Sequence, residues 1–374
     1  MSEKQDVPST IPLPNVKDSL EKKGVLYFTL ENVNVSIANA LRRTIISDIE
    51  TVVMNPKDSE FIINTTRFNN EILKQRLGCI PVHIKDFDSI DTLQIEVDEN
   101  NDNDALEYVT TKDFKIKDLS SDKYLSDAVV KTIFPPNKMT QCYILFARLR
   151  PRITNEIPGE RLKLTCKLSL GMAKEDGMYN VACTCAYGNT PDPVEQSAKW
   201  QEIEEALEKK GSTTSDITYS RQNWYTMEAK RYFKPDSFNF KVESVGVFTN
   251  MELIHKACDK INSRLTVLAQ KCDEESVELL KDKTATANTV DIKLMGYSYT
   301  IGKLVEYILY SDYYMDTSTL SYIGFIKRHP HDDHSILRLT FRDQNEFTDI
   351  NIYRMLKFAC LSGVNIFTNM KEYF

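Results

Sequence analysis

The chain has 374 residues, 41% of them apolar and 27% charged, enough for two or three domains of roughly 100–200 residues each with a true core. No apolar run approaches the roughly 20 residues that a membrane-spanning helix needs, so a membrane protein of that kind is excluded. The net charge is −7 and the carboxylates are spread along the chain, which argues against a protein that grips nucleic acid by its own basic face. The basic clusters are short, namely Arg148, Arg150 and Arg152, then Lys327 and Arg328, so any work near DNA is expected to go through partners.

The first residues lack the basic start and apolar stretch of a signal peptide, and residues 1–14 are expected to be a disordered tail of an intracellular protein. Gly24 to Leu30 alternates as a strand. A helix follows from Asn34 or Ser36, both good N-cap types. Ile37, Leu41, Ile45 and Ile49 recur along it every four residues, and Arg42 and Arg43 fall off that stripe. Asn70 to Gly78 reads as a short helix closed by a left-handed glycine, with Pro81 forcing an extended exit. Asp98 to Asp104 is acidic and reads as a solvated loop. Cys142 to Tyr187 is strand-like and Glu195 to Lys210 is an exposed helix.

Phe238, Phe240 and Val242 share one face of a strand, and a long helix after it carries Leu253, Ala257, Ile261 and Leu265 at helical spacing. Lys281 to Asn288 has the small, polar composition of a linker. Beyond it the order repeats: a strand at Val290 to Leu294, a helix capped by Thr300, two strands joined by a His-rich turn, and a final helix from about Glu346 to Met370. Laying Ser36 on Thr300 places Leu30 on Leu294, Ile37 on Ile301, Ala38 on Gly302 and Ile45 on Leu309, which points to an internal pseudo-repeat.

The eight cysteines include no Cys-x-x-Cys pair and fit neither a disulfide framework nor a zinc knuckle. Buried thiols acting as small hydrophobes are the plain reading. His329, His331 and His334 with Asp332 are the one set that tempts toward a metal-dependent enzyme, but Pro330 and the aspartates also make a good hairpin turn. A free-standing dimeric adaptor is a further alternative.

Asn39-Ala-Leu-Arg-Arg43 behind Val33-Asn-Val-Ser36 resembles the signature of the alpha-type subunits of RNA polymerase. These are the bacterial alpha amino-terminal domain, its larger archaeal counterpart and the third-largest subunit of eukaryotic polymerase II. Arg76-Leu-Gly-Cys-Ile-Pro81, Gly171-Met-Ala-Lys-Glu175 and Phe240-Lys-Val-Glu-Ser-Val-Gly246 resemble further family segments in the family's order. The tail, through Tyr299-Thr-Ile-Gly302 and Tyr322 to His331, is similar to the small polypeptide that pairs with those subunits, the eleventh subunit of polymerase II or its archaeal equivalent. That family has His where Tyr299 stands.

The resemblance implies an α+β fold. An alpha-type dimerisation domain over 15–51 and 236–280 would carry an inserted, mostly-β domain over 52–235. The linker 281–288 would join it to a second dimerisation domain over 289–374, making an intramolecular pseudo-dimer. Ile37, Leu41, Ile45, Leu253, Ile261, Leu265, Ile301, Leu304, Tyr353 and Leu356 would form the dimerisation core. Asn39, Arg42, Arg43, Arg76, Lys174 and Glu175 would face the two largest polymerase subunits, with a small accessory subunit as a further partner. Paired arginines are usually a solvated face, yet their guanidinium forks suit interface carboxylates.

Such a fusion resembles those of large DNA viruses with cytoplasmic transcription, which implies a place in the virion and host cytoplasm, or in the nucleus for a cellular or nuclear-replicating origin. No catalytic residue, cofactor or metal is expected in this chain. Magnesium is expected in the catalytic subunits, because two-metal nucleotidyl transfer needs clustered aspartates that are missing here. The zinc or iron–sulfur site of many relatives is not carried over, since no cysteine lies between His83 and Lys138.

Overall fold

The computed structural model describes residues 10–88, 90–154, 156–281 and 287–374. Residues 1–9 of the expected tail and 282–286 of the expected linker lie outside them. The chain divides into two compact units. The first holds the described residues up to Thr44, then Thr184–Glu243 and Ile254–Phe374; the second holds Ile45–Cys183 and Ser244–Leu253. Among the described residues no helix is long and apolar enough to cross a membrane.

In chain order, β1 (Asn15–Lys22) and β2 (Val25–Glu31) pair antiparallel across a turn in which Lys23 and Gly24 both have positive φ. α1 (Val35–Ser47) opens where the Asn34 side chain accepts the Ser36 N–H at 2.9 Å, so a polar turn starts the helix as its sequence requires. β3 (Glu50–Asn64) leads to α2 (Asn70–Gly78), capped by Asn69, and then to β4 (Leu93–Asn100), β5 (Glu107–Thr110), β6 (Lys115–Asp118) and β7 (Lys123–Tyr124). α3 (Asp127–Ile133), β8 (Leu145–Leu149) and β9 (Arg161–Met172) complete the run that precedes β10 (Ala182–Pro191).

α4 (Pro193–Lys209) and α5 (Thr214–Thr226) come next, then β11 (Phe233–Ser244), α6 (Asn250–Asp273) and β12 (Glu278–Leu280). β13 (Thr289–Met295), α7 (Tyr299–Leu309), a π-helical turn (Tyr310–Asp316), β14 (Leu320–Ile326), β15 (His334–Phe341) and α8 (Asp349–Lys371) close the chain's described order.

The first unit holds two four-stranded sheets, ordered β1-β2-β11-β10 and β12-β13-β15-β14. In the former, alternation puts Leu26, Phe28 and Leu30 opposite Val242, Phe240 and Phe238, and all six are buried. Phe28 and Phe240 stack at 4.9 Å with planes 5° apart. α7 packs on α8 and buries Ile301, Leu304, Val305 and Ile308.

α8 also runs antiparallel along α6. Asp259 pairs with Lys371 at 2.6 Å and Asp273 with Lys357 at 2.7 Å. Tyr353 donates its hydroxyl to the Val277 carbonyl at 2.9 Å. Exposed ion pairs contribute only about 0.2–1 kcal/mol each, so the seam depends on its apolar contact, where a Cβ at Gly363 would sit 2.8 Å from Leu265 Cδ1. Thr10 is anchored in this unit, its N–H and hydroxyl both donating to the buried Asp312 carboxylate at 3.0 and 2.9 Å.

The second unit is built on a five-stranded sheet, β3-β9-β4-β6-β7, with a two-stranded ribbon β5-β8. Leu162, Leu164, Cys166 and Leu168 alternate inward from β9, and Phe114 meets Phe134 and Phe146 edge-on at 5.5 Å each. Residues 184–235, placed by the sequence within the insertion, group with the first unit, where β10 lies beside β11.

Three local readings are corrected. Gly78 is a helical residue without positive φ, and a Cβ there would overlap Met178 and Pro56; close packing, not a left-handed cap, is what requires glycine. Asp98–Asp104 is not simply a solvated loop. Asp98 lies within β4 and pairs with Arg161 and Lys163, while Asn101 is wholly buried and donates to the Ala105 and Leu149 carbonyls at 2.9 and 2.8 Å. Thr300 is not the cap of α7: Ser298 holds that position and Thr300 sits buried inside the first turn.

This packing can be tested at two places. A methyl group at Gly302 would overlap the buried Phe325 ring, so Gly302→Ala should destabilise the fold by about 1–3 kcal/mol of overpacking, outweighing the gain of about 1 kcal/mol in helix propensity. Urea unfolding checks the sign, and a stabilised variant would refute the packing. Burial pushes the Cys166, Cys185, Cys258 and Cys272 thiols up to about 12 and Cys360 well above its usual value. At pH 8 only the exposed Cys79, Cys142 and Cys183 should react quickly with iodoacetamide, the other five only after denaturation. Because the folded thiols hold their protons more tightly than the unfolded ones, this contribution to stability is present below pH 9 and is lost as pH rises from 9.0 toward about 12.

Candidate docking face around Arg42 and Arg43

The fold brings the start of α1 beside the start of α7. The apolar stripe of α1 (Ile37, Leu41 and Ile45) is fully buried, which fixes the helix rotation and turns the Arg42 and Arg43 positions away from the core. Arg42 is half-buried and is held by its own helix: Asn39 Oδ1 accepts its Nε at 3.1 Å and its Nη2 at 2.9 Å. Arg43 is exposed, and its Nε donates to Thr300 Oγ1 at 2.9 Å. The one arginine is therefore preorganised by a neighbour one turn back. The other bridges to the second helix start.

Between those helix starts lies a hollow of about 230 Å³, walled by Val35, Ser36, Asn39 and Ala40 from α1 and by Tyr299, Thr300 and Lys303 from α7. Tyr299 and Thr300 belong to the segment that resembles the small pairing subunit, but neither they nor Lys303 are among the expected interface residues. The signal that could have found them is the overlay of Ser36 on Thr300, which makes the two helix starts equivalent. Behind the face, burial raises the Cys185 thiol against the weaker opposing effect of Arg42, so the thiol stays neutral beside the guanidinium.

The remaining expected interface residues fall elsewhere. Arg76 is committed within the second unit, its Nε and Nη2 donating to the Phe146 and Leu145 carbonyls at 2.8 and 2.7 Å, where it ties α2 to β8. Lys174 and Glu175 are exposed on the turn after β9, which is fixed by the Lys174 N–H donating to the Ser47 carbonyl at 2.9 Å. Gly171 ends that strand with Tyr179 and Val53 so close that a Cβ would lie 2.9 and 3.0 Å from them. Of the expected dimerisation residues, Ile37, Leu41, Ile261, Leu265, Ile301, Leu304 and Leu356 are buried in the first unit. Tyr353 is half-buried there, and Ile45 and Leu253 are buried residues of the second unit.

The His-rich turn has its own local logic. The His329 N–H donates to Asp332 Oδ2 at 3.0 Å, and the His331 N–H donates to His329 Nδ1 at 3.1 Å, so a carboxylate and an imidazole nitrogen are spent on the turn. Among the described residues no group of three or more His, Cys, Asp or Glu is placed to hold a metal ion. The basic cluster near Arg150 is likewise absorbed, with Arg150 on the buried Glu160, Arg152 on Asp104 and Arg148 over the Tyr108 ring.

The chain belongs to the family described as the RNA polymerase Rpb3/Rpb11 dimerisation domain, whose profile matches residues 27–265. It is 26% identical over 278 residues to the DNA-directed RNA polymerase subunit Rpo3 of Pyrococcus furiosus, covering 70% of this chain and 96% of that protein. It is 25% identical over 301 residues to the DNA-directed RNA polymerases IV and V subunit 3B of Arabidopsis thaliana, covering 69% and 90%. To the DNA-directed RNA polymerase II subunit RPB3 of Schizosaccharomyces pombe it is 22% identical over 257 residues, covering 68% and 85%. The family match takes in α1 with both arginines and ends within α6; α7 and α8 lie beyond it.

The Arg43–Thr300 hydrogen bond is part-buried, joining an exposed guanidinium to a buried hydroxyl. Arg43→Ala should lower the urea unfolding free energy by no more than about 3 kcal/mol, the upper range for one hydrogen bond from a charged group. A larger loss would mean that the arginine is a structural latch, and its docking role would lose its basis.

Proposed function

We propose that the chain is a non-catalytic assembly subunit of a multisubunit DNA-directed RNA polymerase. The observation that carries this reading is the family match over residues 27–265, which includes the whole of α1 and its arginines. In this reading the dimerisation domain is formed by residues 15–51 and 236–280, residues 52–235 are inserted, and residues 289–374 act as the second dimerisation partner on the same chain. The antiparallel seam of α6 with α8 and the Arg43–Thr300 bridge support it, because each joins the family-matched part to the part beyond it. A tethered partner acts at an effective concentration in the millimolar range, so the one-to-one pairing no longer depends on finding a separate polypeptide.

The Arg42 and Arg43 face and the Lys174–Glu175 turn are then docking surfaces for the two largest subunits, which carry out the magnesium-dependent nucleotidyl transfer. A smaller accessory chain completes the assembly. A fusion of this type suits a large DNA virus whose polymerase is carried in the virion and works in the host cytoplasm.

Tagged chain recovered from its native source should bring down two much larger polymerase chains. The double charge reversal Arg42→Glu with Arg43→Glu should abolish that recovery while the circular dichroism and unfolding midpoint stay near those of the unaltered protein. Recovery of the large chains undiminished by the double variant would remove the arginines from the interface, and their absence from the unaltered preparation would remove the polymerase reading itself.

A further inference from the structure

A second hollow, of about 210 Å³, opens in the second unit beside α3, and none of the expected interface residues lines it. Its lining includes the buried side chains of Phe114, Val130 and Phe134, so it is apolar where it is deepest in the fold. Its volume would hold about seven waters at about 30 Å³ each, below the roughly 300 Å³ at which pockets for drug-sized ligands begin. It suits one large side chain better than a cofactor.

Three features narrow the occupant. Thr111 lines the hollow, is 1% exposed, and its hydroxyl is without a hydrogen-bond partner, an arrangement that native structures rarely leave unanswered. Lys112 and Lys131, also in the lining, are exposed, and neither ammonium is paired with a carboxylate among the described residues. The opposing charge in the lining is Asp127, in the first turn of α3, where the helix dipole favours it. Tyr143 completes the polar part of the lining. The surroundings offer apolar surface to a partner: Ile144, whose carbonyl accepts the Thr111 N–H at 3.0 Å, and Val129 of α3 are 42% and 43% exposed.

We propose that this hollow receives a tyrosine side chain from an acidic segment of a partner protein. The ring would fill the apolar floor, its hydroxyl would answer Thr111, and flanking carboxylates would meet Lys112 and Lys131. Tyrosine is the side chain that combines an aromatic body with a polar tip able both to donate and to accept. An arginine anchor would be repelled by the two ammonium groups. The proposal does not depend on which assembly the chain joins.

The test uses the full chain and the blocked pentapeptide Asp-Glu-Tyr-Asp-Glu, with its Phe and Ala analogues, titrated by calorimetry and ligand-observed NMR. The tyrosine peptide should bind, the Phe analogue roughly fivefold more weakly for want of one hydrogen bond, and the Ala analogue not measurably. Lys112→Glu with Lys131→Glu, both on exposed side chains, should weaken the tyrosine peptide about tenfold with unchanged circular dichroism. Thr111→Val should erase the preference of Tyr over Phe. The proposal fails if no peptide binds at millimolar concentration, if the Ala analogue binds equally, or if the lysine reversals have no effect. It also fails if 4-methylphenol binds as tightly as the peptide, which would make the hollow a site for small phenols.

Discussion

The contact on which the first unit turns is the close approach of α8 to α6 at Gly363 and Leu265. Two long helices can share a core only if their backbones come near enough for side chains to interdigitate, and a residue without a Cβ at the crossing permits it. Everything at the rim of that seam is polar and weak. Asp259 with Lys371, Asp273 with Lys357, and Asn262 with Thr368 set the antiparallel register, but each is exposed enough that water and salt compete for it. The division of labour is plain: apolar burial supplies the stability and the ion pairs choose which of several slidings of one helix past the other is kept.

The second unit solves a different problem. Its sheet is interrupted by turns, and a buried turn exposes backbone groups that need partners. Asn101 answers two carbonyls and Arg76 answers two more, so polar side chains take the place of strand neighbours where the ladder stops. A guanidinium spent in this way is bound to the fold first. That separates Arg76 from Arg42, whose donors to Asn39 hold it in place on its own helix.

The strands and long helices were legible because their signals are periodic: Phe238, Phe240 and Val242 by twos, and Ile37, Leu41 and Ile45 by fours, each buried as that spacing requires. The buried-thiol reading holds for Cys185 but not for Cys183, which lies two residues before it on β10 and is exposed. What was not legible depends on residues distant in sequence. Gly78 carries the ordinary signature of a helix end, and only the approach of Met178 and Pro56 shows that it is a packing glycine. Asp98–Asp104 looks solvated because charge alone carries no record of Arg161 and Lys163 across the sheet. Thr300 has the residue type of a cap, and it took a helix 257 positions away to give its hydroxyl a different partner.

That last exchange bears on the opening segment of α1. The overlay of Ser36 on Thr300 sets Arg42 opposite Glu306 and Arg43 opposite Tyr307, so the two helix starts share an apolar stripe but only α1 carries an arginine pair. Glu306 is already occupied by Lys303 at 2.6 Å, and burial raises the Tyr307 hydroxyl above its usual range, keeping it neutral. A symmetric dimer would present the same arginine pair twice and could not tell one large partner from the other by charge. Two helix starts of different sequence present different faces, and on the proposed reading a carboxylate that suits Arg42 and Arg43 finds no arginine pair at the start of α7. On the proposed reading, the fusion does more than fix stoichiometry: it lets a single chain assign each large partner its own side.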